Sequence, residues 1–364
     1  MSHSKRLREA PSVGRTLDEE QIAALIREGR FHSVSLRLPC DCNLHCPYCY
    51  SGIQKTGWGR DSTRLRYDEI IGLLEQAFEL GVETVSVVGD GEPLMYRDGD
   101  SDVFSLLSYL QAKAKRSVLF TNGTLVKRDD AKALYELGAT VIAKQNSANM
   151  NVQDNLAGRS LGKMMLRGLD YLCEAGLAEE LRLGVHTVVC KSNYDEIPDL
   201  WRSWRKSNIV PYVQICVPPY DKKAQTKFGQ EISVPSADVR DLFHELLNID
   251  QREFGFSWDP DYTYPIAGLG CTVVLTGFGV TPKGDVQMCA YVENPLGNIR
   301  QETLKNILSK DAVRKIKGFP YGDSRKKFHY GCRALTHAIT GDRFASDPFW
   351  WGESRDALVE QGDR

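Results

Sequence analysis

Apolar and polar residues alternate along the middle of the chain in two periods, one typical of strands and one typical of amphipathic helices. Six short apolar segments predict buried strands, and they cover residues 33–38, 84–89, 117–121, 139–144, 182–189 and 210–217. Helical patterns lie between them, at residues 68–80, 104–115, 129–137, 161–175 and 197–206. A regular alternation of this kind predicts parallel strands with helices packed outside them.

The spacing of these strand–helix units predicts an open barrel. Six units occupy about 200 residues, close to the roughly 31 residues per unit of a complete eightfold barrel. Six units cannot close an eight-stranded barrel, so we expect an α/β fold with a partial (β/α)6 TIM-like barrel. Functional residues of such barrels lie at the C-terminal ends of the strands.

The segments on either side of the predicted barrel divide the chain further. A turn motif at residues 281–286 and a helical pattern at residues 303–317 predict a β-hairpin followed by a helix. The polar segment 218–236 predicts a long loop that leaves the barrel. We therefore expect an N-terminal arm with one short helix (1–31), the barrel (32–235), a second domain (236–348) and a C-terminal tail (349–364).

Composition limits the partners and the compartment. A net charge of −2 over 364 residues gives no electrostatic footprint for nucleic acid. The chain lacks an apolar run of about 18 residues, so we expect no membrane partner, and residues 1–15 lack the apolar core of a signal peptide. Ten cysteines without an export signal indicate metal or cluster ligands in a reducing cytoplasm rather than disulfides.

Three cysteines lie close together directly after the first predicted strand. Cys42, Cys46 and Cys49 have the spacing C-x3-C-x2-C, and the aromatic residue Tyr48 precedes the last of them. Three thiols so close together cannot all point into a core, so we expect them to converge on a metal or a cluster. A structural zinc site normally has four protein ligands, and three leave a coordination position open. A zinc site and a chance grouping are the alternatives.

This spacing resembles that of the radical SAM superfamily, in which a first strand also leads straight into the cysteine loop. The resemblance implies that the three cysteines hold a [4Fe-4S] cluster whose fourth iron binds S-adenosylmethionine, and that Tyr48 lies near the adenine. It also implies reductive cleavage of S-adenosylmethionine to a 5′-deoxyadenosyl radical, which takes a hydrogen atom from a substrate. A reductase such as flavodoxin or ferredoxin would supply the electron.

Polar motifs at the strand ends match positions that this family uses for its cofactor. After the second strand, Gly89-Asp90-Gly91-Glu92-Pro93 resembles the family's GGEP turn, with Asp90 in place of a glycine. Glycine lets the backbone approach a ligand closely, and a carboxylate can form a charge-assisted contact with an ammonium group. The resemblance implies cofactor contacts for Tyr48, Gly91, Glu92, Pro93, Thr121, Asn122, Asn146, Ser147 and His186.

Three further residues at strand ends are candidates for catalysis. Lys144 ends an otherwise apolar strand, and a buried lysine needs a partner such as a substrate hydroxyl or carboxylate. A surface lysine with a buried stem is the alternative. Cys190 and Cys216 end the fifth and sixth strands, where a thiol can return a hydrogen atom to a substrate radical, as in epimerases of this family. Small buried apolar side chains are the alternative for both cysteines.

A second group of cysteines resembles the SPASM/twitch extension of radical SAM enzymes. Cys271, Cys289 and Cys332 occur with the motifs Leu-Gly-Asn-Ile and Gly-Cys-Arg-Ala, and a full SPASM set has more cysteines than these three. The resemblance implies an auxiliary [4Fe-4S] cluster. His329 is a candidate fourth ligand, because imidazole can bind iron in iron–sulfur centres. An open iron, another side chain and a degenerate hairpin without a cluster are the alternatives.

The resemblance leaves the substrate open between two classes. Twitch-type relatives act on small molecules such as amino sugars or on ribosomally made precursor peptides. Residues 1–31 are too few for the leader-binding domain of many peptide maturases, which favours a small polar substrate that is oxidised, epimerised or rearranged. A peptide maturase is the alternative, and a non-catalytic iron–sulfur or zinc protein is a third hypothesis.

Overall fold

The computed structural model describes residues 17, 19–49, 57–217, 231–260, 266–268, 273–289 and 295–317, and positions 332, 334, 336–337, 341–342 and 345. The predicted ligands Cys271 and His329, most of the predicted loop 218–236 and the tail 349–364 lie outside these residues.

Six parallel strands, adjacent to one another in chain order, form the main part of a ten-stranded sheet in the described structure. They are β1 (Ser33–Leu38), β2 (Thr84–Gly89), β3 (Arg116–Thr121), β4 (Thr140–Lys144), β5 (Leu183–Val189) and β6 (Val210–Ile215). Their bounds differ from the predicted ones by at most two residues. All residues of β1 and β6 are buried, as expected for parallel strands that are covered on both faces. The predicted partial barrel is confirmed.

Four short strands extend this sheet at its two edges. They are β7 (Ile266–Ala267), β8 (Gly277–Val280), β9 (Asp285–Gln287) and β10 (Gly297–Asn298). β7 pairs with β6, and β8 pairs with β1 in parallel register, so that Ser33 lies opposite Gly277. β8 and β9 form the predicted hairpin, whose turn contains Gly284 with a φ of +88°. The sheet therefore continues from the barrel into the second region of the chain. A separate small hairpin pairs Arg97–Asp98 with Ser101–Asp102.

Helices of the described chain precede the barrel, connect its strands and continue beyond it. They are α1 (Glu19–Arg27), α2 (Tyr67–Glu79), α3 (Val103–Ala112), α4 (Arg128–Glu136), α5 (Met150–Ala157), α6 (Gly162–Glu174), α7 (Ile197–Lys206), α8 (Ser236–Ile249), α9 (Val273–Thr276), α10 (Leu304–Leu308) and α11 (Asp311–Lys317). A π-helical turn, Asp250–Phe254, continues α8. None of the helices in the described part of the chain is both long and apolar enough to cross a bilayer.

Two helical features differ from the prediction. α5 was not predicted, because its sequence contains asparagines and a valine, which are weak helix formers. Its start is fixed by Asn149, whose side chain accepts hydrogen bonds from the backbone of Asn151 and Val152. The continuous helix predicted at residues 303–317 is instead two helices, α10 and α11, and Ser309 is the C-cap residue of the first.

Candidate active site

The cysteine loop follows β1 and is held between the turn after β2 and the end of α5. A Cβ atom on Gly91 would lie 2.3 Å from the Asp41 carbonyl oxygen, and one on Gly158 would lie 2.2 Å from the His45 carbonyl oxygen. The backbone N–H of Glu92 donates to the Asp41 carbonyl at 2.9 Å. Glycine at these two positions therefore lets the loop approach both elements closely.

The three cysteines of this loop have the chemistry that a [4Fe-4S] cluster requires. Cys42, Cys46 and Cys49 are half-buried, and none of them forms a disulfide in the described structure. Burial raises the pKa of Cys42 to about 11 and also raises the pKa of Cys46, so these thiols ionise at neutral pH only when a metal binds them. Among the described residues, no group of three or more His, Cys, Asp or Glu side chains is placed to bind one metal ion. A [4Fe-4S] cluster does not require such convergence on one ion, because each cysteine binds a different iron.

Glu92 joins the turn after β2 to the end of β3. Its carboxylate is buried and accepts hydrogen bonds from the Thr121 hydroxyl at 2.7 Å, the Asn122 backbone N–H at 2.6 Å and the Leu94 backbone N–H at 3.2 Å. Burial raises the pKa of Glu92 to about 7, and the three hydrogen bonds oppose this rise. The Asn122 amide nitrogen also lies 3.9 Å from Cys42 Sγ. Thr121 and Asn122 therefore position the Glu92 turn against the cysteine loop.

Asp90, the departure from the family's GGEP turn, has a charged partner in this chain. Its carboxylate forms an ion pair with the guanidinium of Arg37 on β1, and both side chains are at least nine-tenths buried. Arg37 was not among the predicted site residues. A signal was present, because an arginine in an apolar strand requires a buried partner.

Lys144 lies at the end of β4 beside two residues of the site. Its ammonium nitrogen lies 3.3 Å from His186 Nδ1 and 4.8 Å from the centroid of the Tyr48 ring. His186 Nε2 lies 3.0 Å from Gln214 Oε1, so Nε2 donates to Gln214 and Nδ1 accepts from Lys144. Burial lowers the pKa of Lys144 to about 8, and the thiols of Cys46, Cys190 and Cys216 oppose this decrease. No carboxylate of the described chain forms an ion pair with Lys144.

The predicted cofactor residues after β4 contact Tyr48 and the elements beside it. The Asn146 amide donates to the Tyr48 hydroxyl at 2.7 Å, and its oxygen accepts from the Val188 backbone at 3.1 Å. The backbone N–H of Ser147 donates to the side chain of Gln153 at 3.0 Å, and its hydroxyl donates to Glu196. Asn146 therefore orients the Tyr48 ring, and Ser147 fixes the segment that carries Asn146.

Cys190 and Cys216 complete this end of the barrel. Both are buried, and with Tyr48, Leu156 and Val188 they form an apolar cluster against which Cys46 packs. The structure thus brings both predicted catalytic thiols beside a predicted cluster ligand and beside Lys144.

The second predicted metal site is described in part. Cys289 and Cys332 are half-buried and pack against the same two buried residues, Val217 and Ala334. Val217 lies two residues beyond the end of β6. These two cysteines therefore lie together near the C-terminal end of a barrel strand.

Comparisons with known families agree with both cysteine groups. The family model of the radical SAM superfamily matches residues 36–202, and the model of an iron–sulfur cluster-binding domain, SPASM, matches residues 271–334.

Known proteins with similar sequences have different functions. The AdoMet-dependent heme synthase of Methanosarcina barkeri is 24% identical over 347 residues, which cover 87% of this chain and 95% of that protein. The antilisterial bacteriocin subtilosin biosynthesis protein AlbA of Bacillus subtilis is 22% identical over 283 residues, which cover 76% of this chain and 59% of that protein.

Among solved structures, SuiB of Streptococcus suis bound to S-adenosylmethionine has a similar fold. The TM-score is 0.66 at 18% identity, and the match covers 96% of this chain and 88% of SuiB. SuiB has also been solved with its precursor peptide SuiA, and that structure matches with a TM-score of 0.64 at 18% identity, over 90% of this chain and 78% of that one.

Proposed function

Because the chain belongs to the radical SAM superfamily and carries a SPASM-type domain, we propose that it abstracts a hydrogen atom from a carboxylate-bearing substrate held by Lys144. The cofactors of these two domains are a [4Fe-4S] cluster with S-adenosylmethionine, and auxiliary iron–sulfur clusters. Once bound and reduced by a protein such as flavodoxin or ferredoxin, the first cluster would supply the electron for cleavage of S-adenosylmethionine to a 5′-deoxyadenosyl radical. The residues of this chain bind, orient and shield the reactants.

Cofactor binding is assigned to the strand-end residues named above. In this proposal Cys42, Cys46 and Cys49 hold the first cluster, and Gly91, Glu92, Pro93, Thr121, Asn122, Asn146, Ser147, Tyr48 and His186 surround S-adenosylmethionine. Cys271, Cys289 and Cys332, with His329 as fourth ligand, hold one auxiliary cluster. The fit of the first site is supported by its three cysteines, which form no disulfide in the described structure, and by the close approach of Gly91 to the loop.

The substrate proposal is based on the surroundings of the Lys144 side chain. Its ammonium group lies beside an imidazole and over an aromatic ring, and it forms no ion pair with a carboxylate of the described residues. Its position at the end of β4, next to the cluster ligand Cys46, is where a substrate meets the radical in such a barrel. A substrate carboxylate would supply the missing charge.

Cys190 and Cys216 are proposed to return hydrogen to the substrate radical. Both lie in the apolar cluster that contains Tyr48, so a thiol S–H bond is available at the barrel mouth and is shielded from water. Hydrogen return forms a C–H bond, breaks the S–H bond and leaves a thiyl radical on the cysteine. One electron from the flavodoxin- or ferredoxin-type reductase and one proton would restore the thiol, and the substrate would be epimerised or otherwise changed without net oxidation. Loss of an electron from the substrate radical gives oxidation instead.

A small polar substrate with a carboxylate is the first candidate. A peptide is the second, because AlbA is a bacteriocin biosynthesis protein and SuiB has been solved with a precursor peptide. The name of the heme synthase adds a tetrapyrrole to the compounds worth testing.

The test is an anaerobic assay of the reconstituted enzyme with S-adenosylmethionine, dithionite and a panel of deuterated amino sugars, small carboxylic acids, a carboxylated tetrapyrrole and short peptides. A substrate is identified by deuterium transfer into 5′-deoxyadenosine. We expect Lys144→Met to raise the KM for that substrate at least tenfold, equivalent to about 1.4 kcal/mol, and Lys144→Arg to retain most of the affinity.

Substrate-free cleavage of S-adenosylmethionine is the control for this variant. We expect Lys144→Met to leave its KM for S-adenosylmethionine unchanged. If that KM rises instead, Lys144 binds the carboxylate of the cofactor and the substrate assignment is wrong. Transfer only from compounds without a carboxylate would also overturn the proposal.

A further inference from the structure

Cys190 and Cys216 directly follow two paired strand ends. The parallel register of β5 and β6 pairs Val189 with Ile215, the last residue of each strand, and each cysteine is the next residue along its chain segment. Neighbouring strands lie about 4.8 Å apart. Disulfides join residues whose Cα atoms are roughly 4.4–6.8 Å apart. Continuing the register by one residue places the two cysteines within this range.

The two thiols lie in the same apolar cluster. Cys190 and Cys216 are both buried, at 1% and 7% exposed, and both belong to the group that contains Tyr48, Leu156 and Val188. The loop after β5 is held in place, because the Cys190 backbone donates to Asn193 Oδ1 at 2.8 Å and the Asn193 amide donates to the Val188 carbonyl at 3.0 Å.

We propose that Cys190 and Cys216 form a redox-active dithiol that is converted reversibly into a disulfide. The oxidant is a small-molecule disulfide: two S–H bonds break, one S–S bond forms between the cysteines, and the oxidant takes up both hydrogens and both electrons as two thiols. The effect of this disulfide on catalysis rests on the proposed function, in which the two thiols return hydrogen to the substrate radical. The reduced pair has hydrogen to return to a substrate radical, and the disulfide has none.

Cys173 provides a matched control within the same protein. It is a half-buried free thiol on α6, and the charged groups near it are the carboxylates of Asp170 and Glu174. A reagent that oxidises thiols without regard to geometry will modify Cys173 at least as readily as the buried pair.

To test this, the anaerobic holoenzyme is treated with diamide, a small oxidant that takes up two hydrogens. The remaining thiols are then alkylated, and the protein is digested without a reductant. We expect mass spectrometry to find a peptide pair joined through Cys190 and Cys216, and dithiothreitol to release it. Cys190→Ser and Cys216→Ser should each abolish the joined pair, and Cys173→Ser should leave its yield unchanged.

Two results would overturn the proposal. One is full alkylation of Cys190 and Cys216 after Cys173 has been oxidised, and the other is pairing of either cysteine with Cys46 or Cys49 instead. The wild-type measurement requires neither S-adenosylmethionine nor a substrate. A failure here therefore leaves the assay of Lys144 unaffected, and a failure of that assay leaves the dithiol standing.

Discussion

Buried charges at the site are stabilised in different ways, and the differences appear residue by residue. Arg37 and Asp90 neutralise each other, Glu92 is held by three hydrogen-bond donors, and Lys144 has an imidazole and an aromatic ring. Removing one member of a buried ion pair leaves an uncompensated charge, which costs more than replacing both members with apolar groups.

Asp90→Gly would restore the glycine of the family's GGEP turn and remove the carboxylate from Arg37. We expect it to lower the free energy of unfolding by about 3–5 kcal/mol, measured by urea denaturation. The double variant Arg37→Leu/Asp90→Gly removes both charges and should recover most of this loss. A double variant less stable than Asp90→Gly would contradict this account of the pair.

The residue types of the site could be predicted from the sequence more readily than their partners. The cysteine spacing, the Gly-Glu-Pro turn and the lysine at a strand end are all local patterns. Pairing of Arg37 with Asp90 could not be predicted, because it depends on how the end of β1 lies beside the turn after β2. The same holds for Gln214, which contacts His186 only through the register of β5 and β6.

Secondary-structure elements show a similar division between local and long-range information. The six barrel strands were predicted closely, because buried parallel strands are continuous apolar runs. The pairing of β8 with β1 was not predicted, since it joins segments more than 200 residues apart in the sequence. The turn after β2 and the end of α5 also contact the cysteine loop at Gly91 and Gly158, where the absence of a side chain permits the close approach.

Gly91→Ala should disrupt the contact between the β2 turn and the cysteine loop, because its Cβ would lie 2.3 Å from a backbone oxygen. We expect at least a tenfold loss of S-adenosylmethionine cleavage and a lower iron content, measured on the reconstituted protein. Gly72→Ala, within α2 and with no atom within 4 Å of its Cβ, is the matched control. It should retain activity and increase stability by about 1 kcal/mol. Equal activity in the two variants would argue against this role of Gly91.

The contact of α11 with the segment before β1 should make stability depend on pH. Lys317 donates to the Arg30 carbonyl at 2.7 Å and lies 4.0 Å from the centroid of the Phe31 ring, and burial lowers its pKa to about 8. Between that pKa and the ordinary value of about 10.4, the unfolded chain binds a proton that the folded chain does not. The free energy of unfolding attributable to Lys317 should therefore rise with pH across this range.

Urea denaturation at several pH values between 7.5 and 10 tests this dependence, with the buffer ionic strength held constant. The free energy of unfolding of the wild type, minus that of Lys317→Met, should increase as the pH rises. The raised pKa values of tyrosines affect both proteins equally and cancel in the difference. A difference that stays constant with pH would show that Lys317 keeps its ordinary pKa in the folded protein.

For the molecule as a whole, the fold and the cofactors could be predicted because a short motif and a repeated strand–helix unit specify both. The substrate could not be predicted in the same way. It depends on side chains from several strands that meet only in the folded barrel, and the similar proteins include a heme synthase and a bacteriocin biosynthesis protein. Lys144, Cys190 and Cys216 form the part of the barrel that is most informative about the substrate.

The central claim, that Cys42, Cys46 and Cys49 hold the cluster that cleaves S-adenosylmethionine, is tested most directly by replacing all three with alanine. Wild type, this triple variant and Cys40→Ala, a buried cysteine beside Gly89, are reconstituted anaerobically and compared in iron content and dithionite-dependent 5′-deoxyadenosine release. We predict that the triple variant loses about four irons per chain and all cleavage, whereas Cys40→Ala keeps both. Cleavage by the triple variant at the wild-type rate would contradict the account.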